Sequence, residues 1–169
     1  MCLEKQVKIG ITGHQRLEDS ASWDWIELEI DNILAQAPKP FVGVTSLAIG
    51  SDQLFAKAVL KHGGNLTVIL PFDEYKFTFK EGDERQQYYR LLNEAKAVKI
   101  LPRMASDEES YFEAGKQLVD TVDFLVAVWD GKPARGLGGT ADIVKYARQC
   151  HKKVVHCNPI SHIVSEIKD

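Results

Sequence analysis

Apolar residues in this chain arrive as short continuous runs, and between them apolar positions recur with the spacing of a helix face. The longest run, residues 124–129 (FLVAVW), ends at Asp130, passes into a loop with Gly131, Gly136, Gly138 and Gly139, and resumes in helical periodicity after Thr140. A run without alternation is the pattern of a strand buried on both faces of a parallel sheet. The same grammar recurs along the chain. Strands are predicted at residues 7–12, 41–45, 66–70, 97–101, 124–129 and 154–157. Helices are predicted at residues 23–35, with Trp23, Ile26, Ile30, Ile33 and Leu34 on one face, and around Leu54, Phe55, Ala58 and Val59. A third starts near Glu84. A fourth opens on the capping box Ser106-Asp107-Glu108-Glu109 and carries Tyr111, Phe112, Gly115, Leu118, Val119 and Val122. A fifth spans residues 140–150, and a short terminal helix is expected after strand six. Strict alternation of strand and helix predicts a single α/β domain over residues 1–169. It is a Rossmann-like, doubly wound parallel sheet of about six strands in the order 4-3-2-1-5-6, with helices on both faces.

In that order strands one and five are neighbours where the winding reverses, and open α/β sheets bind ligands at such a switch point. Two glycine loops would then face each other. One follows strand one, with Gly10, Thr12, Gly13, His14 and Arg16 as its candidate binding residues. The other holds Asp130, Arg135, Gly136, Gly138, Gly139 and Thr140 and leads into a helix, whose unpaired first-turn amides suit a phosphate. Ser46, Gly50 and Asp52, after strand two, are placed at the ligand's edge; the plainer role for Ser51 or Asp52 is to cap the next helix. Gly131 and Gly136 have the spacing of a P-loop, but Leu137 and Gly138 stand where Lys and Ser/Thr are needed. No strand feeds a GxGxxG either. A nucleotide triphosphatase and a dinucleotide oxidoreductase are both disfavoured, and no resident cofactor is expected.

Residues 71–90 break the rhythm. This aromatic, charged stretch makes Tyr75, Phe77, Tyr88 and Tyr89 candidates for a lid, or for packing a helix on the sheet. Trp25 and Leu28 fall away from the core face of the first helix, which points to a homo-oligomer.

A hydrophobic content of 44%, with 27% charged residues, is that of an ordinary globular protein. The formal net charge of −3 argues against an extended nucleic-acid surface or an anionic-membrane surface. No apolar leader or membrane-length window is evident, so a cytoplasmic location is expected. Cys150, His151, His156 and Cys157 lie close in sequence, yet a helix end and a strand with alternating faces make one convergent metal site awkward; no metal is expected.

The segments GITGHQR, SLAIGSDQLFAKAV and VAVWDGKPARGLGGTADIVKYA together resemble the SLOG superfamily of Rossmannoid nucleotide-binding domains, which includes lysine-decarboxylase-like phosphoribohydrolases and the DNA-processing protein A fold. In the phosphoribohydrolases the late loop reads like PGGxGTxxE. The structurally allied nucleoside deoxyribosyltransferases have a similar GTAxE followed by a Tyr-Ala pair, and setting Thr140, Tyr146 and Ala147 against it puts the catalytic glutamate's position at Ile143, so the resemblance implies binding without that carboxylate. Asp142 and Asp130 remain as catalytic candidates, Asp142 one residue early on a helix that turns about 100° per residue. The function expected is binding or sensing of a nucleotide or nucleotide-derived small molecule between the two loops. The alternatives are an N-glycosidic-bond hydrolase or transferase acting on nucleoside monophosphates, and a partner-binding scaffold with an empty crevice.

Overall fold

A computed structural model describes residues 5–168. Seven strands form one sheet: β1 (Val7–Gly13), β2 (Phe41–Thr45), β3 (Asn65–Leu70), β4 (Ala97–Ile100), β5 (Phe124–Val128), β6 (Lys153–Asn158) and β7 (Ile163–Ile167). Their order is β4-β3-β2-β1-β5-β6-β7. The first six run parallel, in the spatial order the hydrophobic pattern predicts. The helices are α1 (Ser22–Ala35), α2 (Ser51–Lys61), α3 (Asp83–Asn93), α4 (Asp107–Thr121) and α5 (Thr140–Gln149). Among the described residues no helix is long and apolar enough to cross a membrane.

Two cores, one on each face, account for the runs without alternation. Ile9, Ile11, Val68 and Leu70 face Ile26, Ile30, Phe55 and Val59 on one side. Val42, Val44, Leu125 and Ala127 face Leu118, Val119, Ile143 and Val144 on the other. Glycine sets how closely the helices sit on the sheet. A Cβ on Gly10 would lie 2.6 Å from Leu118 Cδ2, so α4 crosses directly over it, and a Cβ on Gly43 would lie 2.3 Å from Val59 Cγ2 of α2.

The seventh strand corrects the expectation of a terminal helix. Asn158 Oδ1 accepts from the N–H groups of Ile160 and Ser161 (2.9 and 3.1 Å), and His162, at φ 54°, returns its N–H to Asn158 O (2.9 Å). This side-chain turn reverses the chain, and the β-branched Ile163, Val164 and Ile167 that follow favour a strand over a short helix. β7 pairs antiparallel with β6. The hairpin also accounts for Trp25, whose ring stacks on His162 at 4.8 Å. The patch offered for self-assembly is therefore partly covered within the chain, and only Leu28, 56% exposed, stands clear of it.

Residues 71–90 are not a long lid. A 3₁₀ turn, Asp73–Thr78, leads into α3, and Tyr75, Phe79 and Tyr88 form one buried aromatic cluster with ring centroids 4.4–6.0 Å apart. Phe77 and Tyr89 are exposed.

Overpacking a filled contact costs roughly 1–3 kcal/mol. Gly43→Ala is expected to lower the stability by about that amount in urea unfolding, because Val59 Cγ2 and Phe55 Cε1 occupy the space its methyl needs. An unchanged midpoint would contradict the close seating of α2 on β2.

Candidate functional site

β1 and β5 pair in register from Ile9↔Phe124 to Gly13↔Val128, so both chains leave the sheet at the same level. Beyond that point the two loops are tied together. His14 donates its N–H to Val128 O (3.1 Å), and its Nε2 accepts the N–H of Asp130 (3.0 Å). Asp130 Oδ1 also lies 3.4 Å from the same Nε2. The two contacts make opposite demands on that nitrogen, and the backbone N–H is the better-placed donor. Burial raises the Asp130 carboxyl, but the hydrogen bond from the N–H of Lys132, together with the charge of that lysine, works against it, and the group stands below the usual carboxylate range.

Above the strand ends lies a crevice of about 1180 Å³. Its walls include Thr12, Gly13, His14 and Arg16 from the β1 loop, Ser46 and Asp52 from the β2 loop, and Asp130, Arg135, Gly136, Gly138, Gly139 and Thr140 from the β5 loop. Arg16 and Arg135 are exposed side chains. Of the sequence-derived binding candidates, Gly10 and Gly50 stand outside. Gly10 lies under α4, as described. Gly50, at φ 80°, forms the N-cap of α2 with its α-carbon turned to the backs of the β1 loop, where a Cβ would meet Gln15 O at 2.6 Å.

The β2 loop is organised by Asp52 rather than capped by it. Asp52 Oδ2 accepts from Thr45 Oγ1 (3.1 Å) and from the N–H of Ser46 (3.2 Å), Leu47 donates its N–H to Thr45 Oγ1, and Gln53 donates to Leu47 O. Ser51 does not cap the helix either; its Oγ donates to His14 O (2.8 Å), which locks the β2 loop to the β1 loop. The sequence reading of Ser51 or Asp52 as the cap fails because Gly50 supplies the backbone turn, while Ser51 reaches across to the β1 loop and Asp52 back to the end of β2 and its own loop. Burial pushes the Asp52 carboxyl up to about 6, against the lowering effect of its hydrogen bonds from Thr45, Ser46 and Ala48.

The glycine loop is shaped by Asp142 and α4. Asp142 Oδ2 accepts the N–H of Gly138 (3.0 Å), which ties the carboxylate to the loop backbone and leaves it outside the crevice wall. Gly138, at φ 84°, packs on the first turns of α4, where a Cβ would lie 2.9 Å from Phe112 N. Ile143 lines the crevice and is 3% exposed. Its Cδ1 sits where a Cβ on Gly115 would be, 2.2 Å away, so this position joins α5 to α4.

Sequence reasoning missed several wall residues. Trp129, Pro159, Ile160 and His162 line one end, supplied by the end of β5 and the β6–β7 hairpin that the expectation of a helix concealed. Tyr111 lines the other end with Tyr75 and Phe79. The alternation of α4 placed Tyr111 only on a packing face.

No family model matches the chain, and no curated protein matches it in sequence. Solved structures do match in fold. DNA processing protein A of Streptococcus pneumoniae is 14% identical with a TM-score of 0.61, over 89% of this chain and 50% of that one. The Helicobacter pylori protein of the same name is 14% identical at 0.62, over 89% and 64%. The molybdenum cofactor binding protein of Rippkaea orientalis is 17% identical at 0.57, over 90% and 77%. What these proteins share with the chain is the Rossmann-like α/β fold. At these identities the likeness is one of fold, and the chain spans half to under two thirds of the length of the two DNA processing proteins.

One expectation is overturned by this comparison. The H. pylori structure is described for its single-stranded DNA binding mode, so a net charge of −3 does not exclude nucleic acid for a chain of this fold. A single strand needs a local groove with a few cations and stacking surfaces, which overall charge does not measure.

Asp52 also carries a testable pH dependence. Its carboxyl titrates near 3.8 when unfolded and at about 6 when folded, so between those values the native state binds more protons than the unfolded one. Its contribution to stability is present below pH 4 and is lost as pH rises through 6. Urea unfolding of Asp52→Asn against wild type is expected to shift in favour of the variant by up to about 3 kcal/mol between pH 4 and pH 7. A difference that does not change with pH would contradict a carboxyl held in this environment.

Proposed function

We infer that the chain binds a nucleotide or nucleotide-derived small molecule in the crevice, with phosphate on the Gly136–Thr140 loop and with Thr12, Gly13, His14 and Arg16 on the opposite wall. The observation that carries this reading is the hydrogen bond from Asp130 N–H to His14 Nε2, which joins two glycine-bearing loops at the switch point of the sheet. The amides of Thr140 and Ala141 open α5 with no partner within the helix, those of Asp142 and Ile143 being given to Gly139 O; glycine admits close approach, and two exposed arginines supply charge. The fold also serves, in R. orientalis, a molybdenum cofactor binding protein, which supports a small molecule as the class of ligand. Free Cys150 and buried Cys157 fit a reducing compartment, and we place this binding in the cytoplasm, with a sensing role.

Binding without cleavage is the better-supported form. N-glycosidic cleavage needs a carboxylate against the sugar carbon, where positive charge develops. Ile143 occupies the position that the family pattern gives to that group, Asp142 is committed to Gly138, and Asp52 to its own loop. A preorganised charged group of this kind is typically worth on the order of 3 kcal/mol of barrier.

A ligand selective for the folded state raises its melting temperature by mass action. Adenine or guanine nucleotides are expected to do so, and Gly139→Val, whose side chain would press on Ala134, is expected to abolish the shift while the unliganded melting temperature stays within a few degrees. The panel should carry a short single-stranded oligonucleotide beside the mononucleotides; stabilisation by the oligonucleotide alone would replace the small-molecule reading. Chromatography of nucleoside monophosphates incubated with the protein is expected to show base release no faster than with Gly139→Val. Steady release that disappears in Asp142→Asn would overturn the binding-only reading.

A further inference from the structure

The aromatic end of the crevice has no role in holding phosphate, and its side chains differ in kind from those of the loops. Tyr75, Phe79 and Tyr111 line it. Tyr75 is 6% exposed, with its ring edge-on to Phe79 at 5.1 Å and to Tyr111 at 6.2 Å, so its position is fixed from two sides. Buried tyrosine hydroxyls usually find a partner. Neither the Tyr75 nor the Tyr111 hydroxyl has a hydrogen bond in the chain among the described residues. The one sealed side-chain polar atom without a partner among those residues is Arg85 Nε, so neither hydroxyl is fully sealed, and both residues line the crevice.

The pair is also correctly placed relative to the glycine loop. Gly138 packs against Glu108 and Phe112 of α4, and Tyr111 belongs to that same turn. Continuing around it, Tyr111 leads to Tyr75. A molecule with its phosphate on the loop therefore has this lobe beside it, walled by flat apolar rings and offering two hydroxyls. That chemistry suits a planar heteroaromatic ring with hydrogen-bonding atoms on its edge. It suits a sugar poorly, since a sugar needs many polar partners.

We propose that Tyr75 and Tyr111 form the subsite that reads the base of the bound nucleotide, with the Tyr75 hydroxyl hydrogen-bonded to the edge of the ring. This rests on the crevice being a nucleotide site, as inferred above. Burial, then the nearby Asp52, holds the Tyr75 phenol above its ordinary range, so it meets the ring as a neutral hydroxyl at any physiological pH.

The test is isothermal titration calorimetry of the full chain with AMP, GMP, CMP and UMP, and with ribose 5-phosphate as the probe that lacks a base. Wild type is expected to bind at least one nucleoside monophosphate more tightly than ribose 5-phosphate. Tyr75→Phe keeps the ring packing and is expected to weaken that nucleotide roughly three- to tenfold while leaving ribose 5-phosphate unchanged. Tyr111→Phe is expected to act in the same direction. If Tyr75→Phe and Tyr111→Phe both bind the nucleotide as wild type does, or weaken ribose 5-phosphate equally, the base subsite is overturned and the crevice reading stands. If wild type binds none of the five probes, both are overturned.

Discussion

The pairing of β1 with β5 is the constraint on which the remainder of this molecule depends. It is the point where the winding of the sheet reverses, so no crossover helix covers the ends of these two strands. Its register ends at Gly13↔Val128, and the main chain then continues the pairing beyond the sheet through His14 N–H to Val128 O. Everything gathered at the crevice is referred to this level. The β2 loop is locked to it by Ser51 Oγ on His14 O, and the β5 loop by Asp130 N–H on His14 Nε2. One short segment, Gly13–His14, thus holds three loops that come from distant parts of the chain.

Much of this was legible from the residues. Parallel strands buried on both faces leave unbroken apolar runs, and each helix leaves a stripe, so the order of six strands and the facing of two glycine loops follow from pattern alone. What escaped depends on side-chain hydrogen bonds that have no periodicity. The Asn158 turn made residues 163–167 a strand where a helix was expected, and with it hid the Pro159–His162 wall. The partners of Asp52 lie both before it in its own loop and inside β2, so the residue reads as a cap although it organises the turn. Tyr75 was visible as an aromatic residue in an irregular stretch, but its place opposite Tyr111 required the path of both α4 and the 3₁₀ turn.

The family resemblance and the geometry meet at Ile143. Where the resemblance implies a glutamate, an isoleucine fills the space left by Gly115, so the joint between α4 and α5 is apolar and closed. A carboxylate there would be desolvated unless the helices moved apart. The substitution of one residue is thereby coupled to the packing of two helices, and the neighbouring Asp142 has a separate task in the glycine loop. Ile143 thus packs α5 on α4 and at the same time lines the crevice.

The most direct test of a nucleotide site between these loops is an amide chemical-shift titration of the labelled protein with a nucleoside monophosphate. The largest shifts are expected at Gly13, His14, Gly138, Gly139 and Thr140, with smaller ones at Tyr75 and Tyr111. Shifts confined to other surfaces, or none at millimolar nucleotide, would contradict it.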